Sequence, residues 1–157
     1  MPSYREAQIS DVPDMARIRA SEWGSEDYWH RRISGYMRCE LHPQQALMSR
    51  VAYVAEEGEA VIGFIAGHLT RRFSCAGELE WINVVPERRG SGISSELLRL
   101  LATWFVEQHA FRICVDVDPA NALARRFYLR YGAEDLKTHW LIWNDIGKAV
   151  LGRPVSS

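Results

Sequence analysis

Arg88-Arg89-Gly90-Ser91-Gly92-Ile93-Ser94-Ser95 sets two guanidiniums, two glycines and three serines where one apolar run gives way to another. Glycine lets a backbone approach a ligand closely and adopt positive φ. The first turn of a helix offers unpaired N–H donors and the positive end of a macrodipole. With arginines beside it, such a turn suits a phosphate or pyrophosphate. Glu78 and Glu80 stand on the apolar run before this loop, and the period of two in a strand puts both on one face with Ile82 and Val84. A carboxylate on an inner strand is costly to bury unless it is used or paired, and partial burial raises its pKa toward that of a general base. Tyr128 lies further along. With a reference pKa of about 10, a phenol stays protonated at neutral pH and can donate its proton. Each group also has a quieter reading: solvated arginines on a glycine turn, glutamates in structural ion pairs, and a tyrosine on the buried helix face of Ala124 and Tyr131.

Other phosphate chemistries fit less well. A P-loop ends in Gly-Lys-Ser/Thr, and no lysine stands here. The dinucleotide fingerprint accepts Gly90-Ser91-Gly92 but meets Ser95 at its third position, and Pro86-Glu87-Arg88-Arg89 separates it from its strand, although Asp116 and Asp118 follow. His30, His42, His68, His109 and His139 form no HExxH or other metal spacing, so no metal is expected, and no Gly-x-Ser-x-Gly elbow exists. Of these histidines, His30 falls in the segment Ser25 to Leu47.

These residues need elements to hold them. Tyr4 to Ile9 reads as a strand, and Asp11-Val12-Pro13-Asp14 opens a helix running toward Trp23. Ser25 to Leu47 is helical in part. Val51–Ala55 and Ala60–Leu69 are strands joined through Glu56-Glu57-Gly58-Glu59, and Gly77–Val85 is a third. Ile93, Leu97, Leu98, Leu101, Trp104 and Phe105 then share one helical face. Arg112–Val117 is a strand, Ala120–Tyr131 a helix closed by Gly132, and Leu136–Trp143 the last strand. The order β-α-α-β-β-β-α-β-α-β predicts a mixed α/β layer fold, with an antiparallel meander and one parallel crossover from Glu78 to Val117.

The 157 residues fit one domain, 1–157, with a core from about 4 to 150 and a frayed tail Gly152–Ser157. With 47% hydrophobic and 25% charged residues, disordered and membrane classes are disfavoured. A net charge of −1 lacks the electrostatic signature of a general nucleic-acid binder. Three scattered cysteines, Cys39, Cys75 and Cys114, make no disulfide framework. No signal core precedes the first strand, so the expected location is cytoplasmic.

Two strings together carry a resemblance. Arg89-Gly90-Ser91-Gly92-Ile93-Ser94 is similar to the Arg/Gln-x-x-Gly-x-Gly/Ala loop of the GNAT superfamily of acyl-CoA N-acyltransferases. Asn121-Ala122-Leu123-Ala124-Arg125-Arg126-Phe127-Tyr128-Leu129-Arg130-Tyr131-Gly132-Ala133 resembles that family's Asn-x-x-Ala-x-x-aromatic-Tyr-x-x-x-Gly-Phe signature. One helix and one strand separate them, and the element order matches from Tyr4 to Trp143. The resemblance implies the GNAT fold and an N-acetyltransferase using acetyl-CoA. Backbone N–H groups from Arg89 through Gly90, Ser91, Gly92, Ile93, Ser94 and Ser95 would cradle the pyrophosphate, with Arg88 or Arg89 adding charge. The main chain of Ile82, Asn83 and Val84 would pair with the pantetheine arm and polarise the thioester carbonyl. Asn121 would contact pantetheine, Tyr128 would protonate the leaving thiolate, and Glu80, or Glu78 behind it, would be the base. Two positions depart from the pattern. Ser94 replaces a small Gly/Ala and is expected to donate to the phosphate, and Ala133 replaces Phe.

The segment between the first two strands usually lines the acceptor site in that family. Here it carries Trp23, Tyr28, Trp29 and Tyr36 among Glu22, Glu26, Asp27 and Glu40. Aromatic faces near acids suit an amine-bearing cation, though the same rings can pack the helices onto the sheet. Arg71 and Arg72 point instead to an acidic acceptor. A small-molecule amine is the first expectation. A peptide amine and a non-catalytic CoA-binding module are the alternatives, and a homodimer is compatible with any of them.

Overall fold

The structure, a computed structural model, describes residues 1–152. Arg153 to Ser157, most of the tail expected to fray, lie outside the described residues. Seven strands form one sheet: β1 (Ser3–Glu6), β2 (Ala46–Glu57), β3 (Ala60–Thr70), β4 (Gly77–Val84), β5 (Ile113–Asp116), β6 (Glu134–Lys137) and β7 (Trp140–Trp143). They lie side by side as β1-β2-β3-β4-β5-β7-β6. Of these pairings only β4 with β5 is parallel, as a crossover through a helix requires. The helices are α1 (Val12–Ala20), α2 (Glu26–Met37), α3 (Ile93–Glu107), α4 (Ala122–Arg130) and α5 (Ile146–Leu151).

Both faces of the sheet are covered. On one, the α3 stripe of Ile93, Leu97, Leu98, Leu101 and Phe105 is fully buried with Ile65, Leu79, Val115 and Trp143. On the other, Met15, Ile18, Trp29, Ile33 and Tyr36 from α1 and α2 pack on Val54, Phe64 and Trp81. Cys75 and Cys114 are buried and Cys39 half-buried, all as free thiols. No helix among the described residues is long and apolar enough to cross a membrane.

The sequence order holds except at its end. Leu136–Trp143 is not one strand but part of the β6–β7 hairpin, turning at Thr138-His139. The turn puts His139 at φ 71°, where glycine or asparagine is the usual signal, so nothing in the residue types announced it. α5 was likewise not expected; Asp145 caps it by accepting from the Lys148 N–H at 3.2 Å. Near the start, α1 stops at Ala20, short of Trp23, and β2 begins at Ala46, inside the segment read as partly helical.

Gly132 ends α4 at φ 96°, and a Cβ there would stand 2.7 Å from Ala149 Cβ on α5. Gly132→Ala should therefore cost about 1–2 kcal/mol, from the left-handed conformation alone, with the α5 contact adding to it. Urea unfolding checks this: the midpoint drops while the m-value stays constant.

Candidate active site

A bulge decides which side chains meet. β3 and β4 pair Ala66 with Trp81 and then Gly67 with Leu79, leaving Glu80 as the extra residue. Leu79, Ile82 and Val84 therefore pack toward α3, while Trp81 packs toward α1 and α2. The expectation that Glu78 and Glu80 share a face with Ile82 and Val84 is corrected. Both carboxylates lie on the α2 side, and the inserted residue reverses the alternation between them and Ile82. Glu78 is 4% exposed and sits opposite His68 of β3, which is fully buried.

His68 Nε2 lies 3.5 Å from Glu78 Oε1, and His68 Nδ1 lies 4.0 Å from Glu80 Oε1. The Tyr36 hydroxyl shares a 2.9 Å hydrogen bond with His68 Nδ1, and burial holds that phenol well above its usual pKa. On the cleft side, Arg72 Nε is 3.4 Å from Glu78 Oε1 and Arg32 Nη2 is 4.0 Å from Glu80 Oε2. Burial first, and the neighbouring Glu78 charge second, push the Glu80 carboxyl up to about 7 against the opposing pull of Arg32, Arg72 and Arg19. Atoms of His68, Glu78 and Glu80 suited to ligation lie within 4.8 Å of one another. The two guanidiniums already supply the positive charge that a cation would bring there.

Beyond Leu79 the two parallel strands part. β4 pairs with β5 only through Gly77–Leu79 against Ile113–Val115. The Val85 N–H donates to Ile62 O on the β3 side, so Asn83, two residues back, turns its main chain the same way. Ile82 and Val84 turn theirs into the opening, where Arg89 Nε donates to Val84 O at 3.1 Å. Asn83 presents its side chain instead, with Oδ1 accepting from Arg19 Nη1 at 2.8 Å.

The glycine loop closes one end of this opening. Gly90 and Gly92 have φ of 81° and 88°, and a Cβ on either would meet nothing within 4 Å. Their freedom thus serves the positive-φ backbone, not close packing, and neither lines the cleft itself. Gly92 is the N-cap of α3, ahead of the first-turn N–H groups of Ile93, Ser94 and Ser95. Arg89 reaches Glu22 at 3.2 Å and lines the cleft, whereas Arg88 turns away to pair with Glu57 of β2. Ser94 lines the cleft; Ser91 bonds back to Arg88 O, and Ser95 Oγ bonds the Tyr131 hydroxyl. Asn121 caps α4, its Oδ1 accepting from the Ala124 N–H at 3.1 Å, which leaves its amide donors for a ligand.

The whole is a cleft of about 940 Å³ that brings Glu78, Glu80, Ile82, Asn83, Val84, Arg89, Ser94, Asn121 and Tyr128 together. The Tyr128 ring is held edge-on to Trp143 at 5.8 Å and to Phe127 at 5.6 Å, and burial raises its pKa above the phenol range. Arg19, Arg32 and His68 were not singled out from the sequence. Helical arginines look alike whichever way they face, but a histidine inside the otherwise apolar run Ala60–Thr70 was a legible signal. His30 is exposed. Of the candidate acceptor residues, Trp23, Glu22 and Arg72 line the cleft, while Trp29 and Tyr36 are core.

A family model described as acetyltransferase (GNAT) family matches residues 13–133, a span that holds the glycine loop and the two parallel strands. The chain belongs to the GNAT family. It is with that family an acyltransferase. An uncharacterized N-acetyltransferase of Archaeoglobus fulgidus is 30% identical over 142 residues, covering 85% of this chain and 91% of that one. An uncharacterized N-acetyltransferase of Methanocaldococcus jannaschii is 34% identical over 100 residues, which span 63% of this chain and 62% of the relative. Among solved structures, PaiA N-acetyltransferase from Thermoplasma acidophilum in complex with coenzyme A superimposes with a TM-score of 0.66 at 18% identity, covering 90% of this chain and 96% of that one. Within the GNAT fold, the β4–β5 opening and the loop before α3 are the features that set this cleft.

Proposed function

We propose that this GNAT protein transfers an acetyl group from acetyl-CoA to the primary amine of a small molecule, by direct attack within a ternary complex. The observation that carries the reading is the parting of β4 from β5 beside the glycine loop: an open strand edge leading toward the N-terminus of α3. That shape fits an extended thiol arm ending in a pyrophosphate. The coenzyme A held by the Thermoplasma acidophilum protein, whose fold is shared, supports the same co-substrate.

Bound acetyl-CoA supplies a thioester carbonyl as the electrophile. Main-chain N–H groups of Ile82 and Val84 face the opening and are placed to stabilise negative charge on that oxygen. Glu80, directly or through one water, takes the proton from the acceptor ammonium, freeing the nitrogen lone pair for attack on the carbonyl carbon. As the new C–N bond forms and the C–S bond breaks, the Tyr128 hydroxyl gives its proton to the departing sulfur, and the second proton shed by the nitrogen passes, directly or through one water, to the Tyr128 phenolate, leaving a neutral amide and a thiol. Arg89 and the α3 N-terminus hold the phosphates.

The test is coenzyme A release with acetyl-CoA and an amine panel across pH. A base must be ionised to act, so kcat/KM should rise with pH through about 7 and then level, following the Glu80 carboxyl. Burial and the charges of Glu78, Arg32, Arg72 and Arg19 set where the rise falls, with His68 and its partner Tyr36 packed on the same carboxyl from β3 and α2. Glu80→Gln should remove this limb and lower the rate about 10²-fold or more. A limb unchanged in Glu80→Gln but lost in Glu78→Gln reassigns the base. Turnover of peptides but not small amines favours the peptide alternative, and binding without turnover favours the non-catalytic one.

A further inference from the structure

Three other cleft arginines have partners. Arg19 bonds Asn83 and lies 4.3 Å over the Trp29 ring. Arg89 bonds Val84 O and Glu22. Arg72 bonds Gln44 O, approaches Glu78 and lies 4.6 Å over Trp140. Arg32 differs in that its guanidinium makes no hydrogen bond among the described residues: its Nε is buried without a partner, as are those of Arg19 and Arg72, but the Glu80 oxygen beside Nη2 is also 4.0 Å away, outside hydrogen-bond reach. Its side chain is 43% exposed, on the wall of the cleft. A planar guanidinium with donors unspent is the natural receptor for a carboxylate, which it grips through two parallel bonds.

We propose, resting on the acetyltransferase reading above, that the acceptor is a free amino acid or a close analogue. Its carboxylate docks on Arg32 while its amine lies against Glu80. The spacing suits that class. The nitrogen and the carboxylate carbon of an α-amino acid are joined through one carbon by two bonds of about 1.5 Å, so both charges fit beside groups 4.0 Å apart. Charge agrees as well. Glu78 and Glu80 face the ammonium, and Arg32 with Arg72 faces the carboxylate, so a zwitterion meets opposite charge at both ends. A polyamine would set a second cation against Arg32 and Arg72, and a peptide N-terminus has no α-carboxylate to offer.

The test compares each standard amino acid with its amide and its decarboxylated amine, following coenzyme A release from acetyl-CoA. At least one free acid should exceed its amide and its amine about tenfold or more in kcat/KM. Arg32→Gln should lower kcat/KM for that acid about 10–100-fold, chiefly through KM, and bring the acid-to-amide ratio toward one. Arg32→Lys should restore part of the preference. Equal or better turnover of amides and amines, or an Arg32→Gln loss equal for acid and amide, overturns the proposal while leaving the acetyltransferase reading standing. If the free acids release no coenzyme A, the proposal also falls. In that case, a melting-temperature shift with acetyl-CoA and turnover of other amines decide whether the wider reading survives.

Discussion

Tyr128→Phe should lower kcat by about 10²-fold or more, leaving the affinity for coenzyme A within about twofold. The substitution removes one oxygen and nothing else. The ring stays edge-on to Trp143 and Phe127, so packing on the α3 face of the sheet is retained. Burial raises the phenol pKa, with Asp116 adding to it and Arg19 pulling against it. The hydroxyl therefore stays protonated across neutral and moderately alkaline pH. The proton is thus held ready for the sulfur while the C–S bond breaks, and the phenolate left behind takes up the proton that the nitrogen sheds. General acids of this kind contribute about 10²–10⁴-fold, and because the proton moves only in the transition state, the loss belongs in kcat more than in KM. Steady-state kinetics with acetyl-CoA and calorimetry with coenzyme A separate the two. A wild-type kcat in Tyr128→Phe would assign proton donation elsewhere.

Gly92→Val should abolish coenzyme A binding, with a loss of about 10²-fold or more in affinity, while the fold survives. Two effects act together. At φ 88° a β-branched residue is strained by about 1–2 kcal/mol, so the N-cap of α3 shifts out of its present conformation. The side chain also fills open space ahead of the first-turn N–H groups of α3, the proposed phosphate site, where a Cβ now meets nothing within 4 Å. Because no protein atom is struck, the cost to folding should stay near the backbone strain alone. Calorimetry gives the affinity. Thermal melting gives the second readout: coenzyme A should raise the wild-type melting temperature by mass action and leave the variant unmoved. Retained affinity would put the phosphates elsewhere.

The amino-acid order by itself determined the layered α/β architecture through α4, because elements there carry their own local signals: the α3 stripe at spacings of three and four, the apolar runs of β2 to β4, and Gly132 at a position requiring positive φ. It also determined the family, through the loop at Arg89–Ser94 and the string from Asn121 to Ala133. The hairpin at Thr138-His139 escaped because its turn uses a histidine at positive φ, a conformation chosen by the strands it joins.

Only the tertiary structure decided the chemistry of the acceptor side. A strand's alternation says which residues share a face until one extra residue is inserted, and the bulge at Glu80 is set by pairing with β3, not by the residue types of β4. That insertion brings both glutamates to His68 of β3 and to Tyr36 and Arg32 of α2, residues from two other elements. It also decided which arginine of the adjacent pair faces the cleft: Arg88 found Glu57 on β2, and Arg89 found Glu22 and Val84. Long-range partners fix the direction and charge environment of a polar side chain, and those partners exist only once the chain has folded.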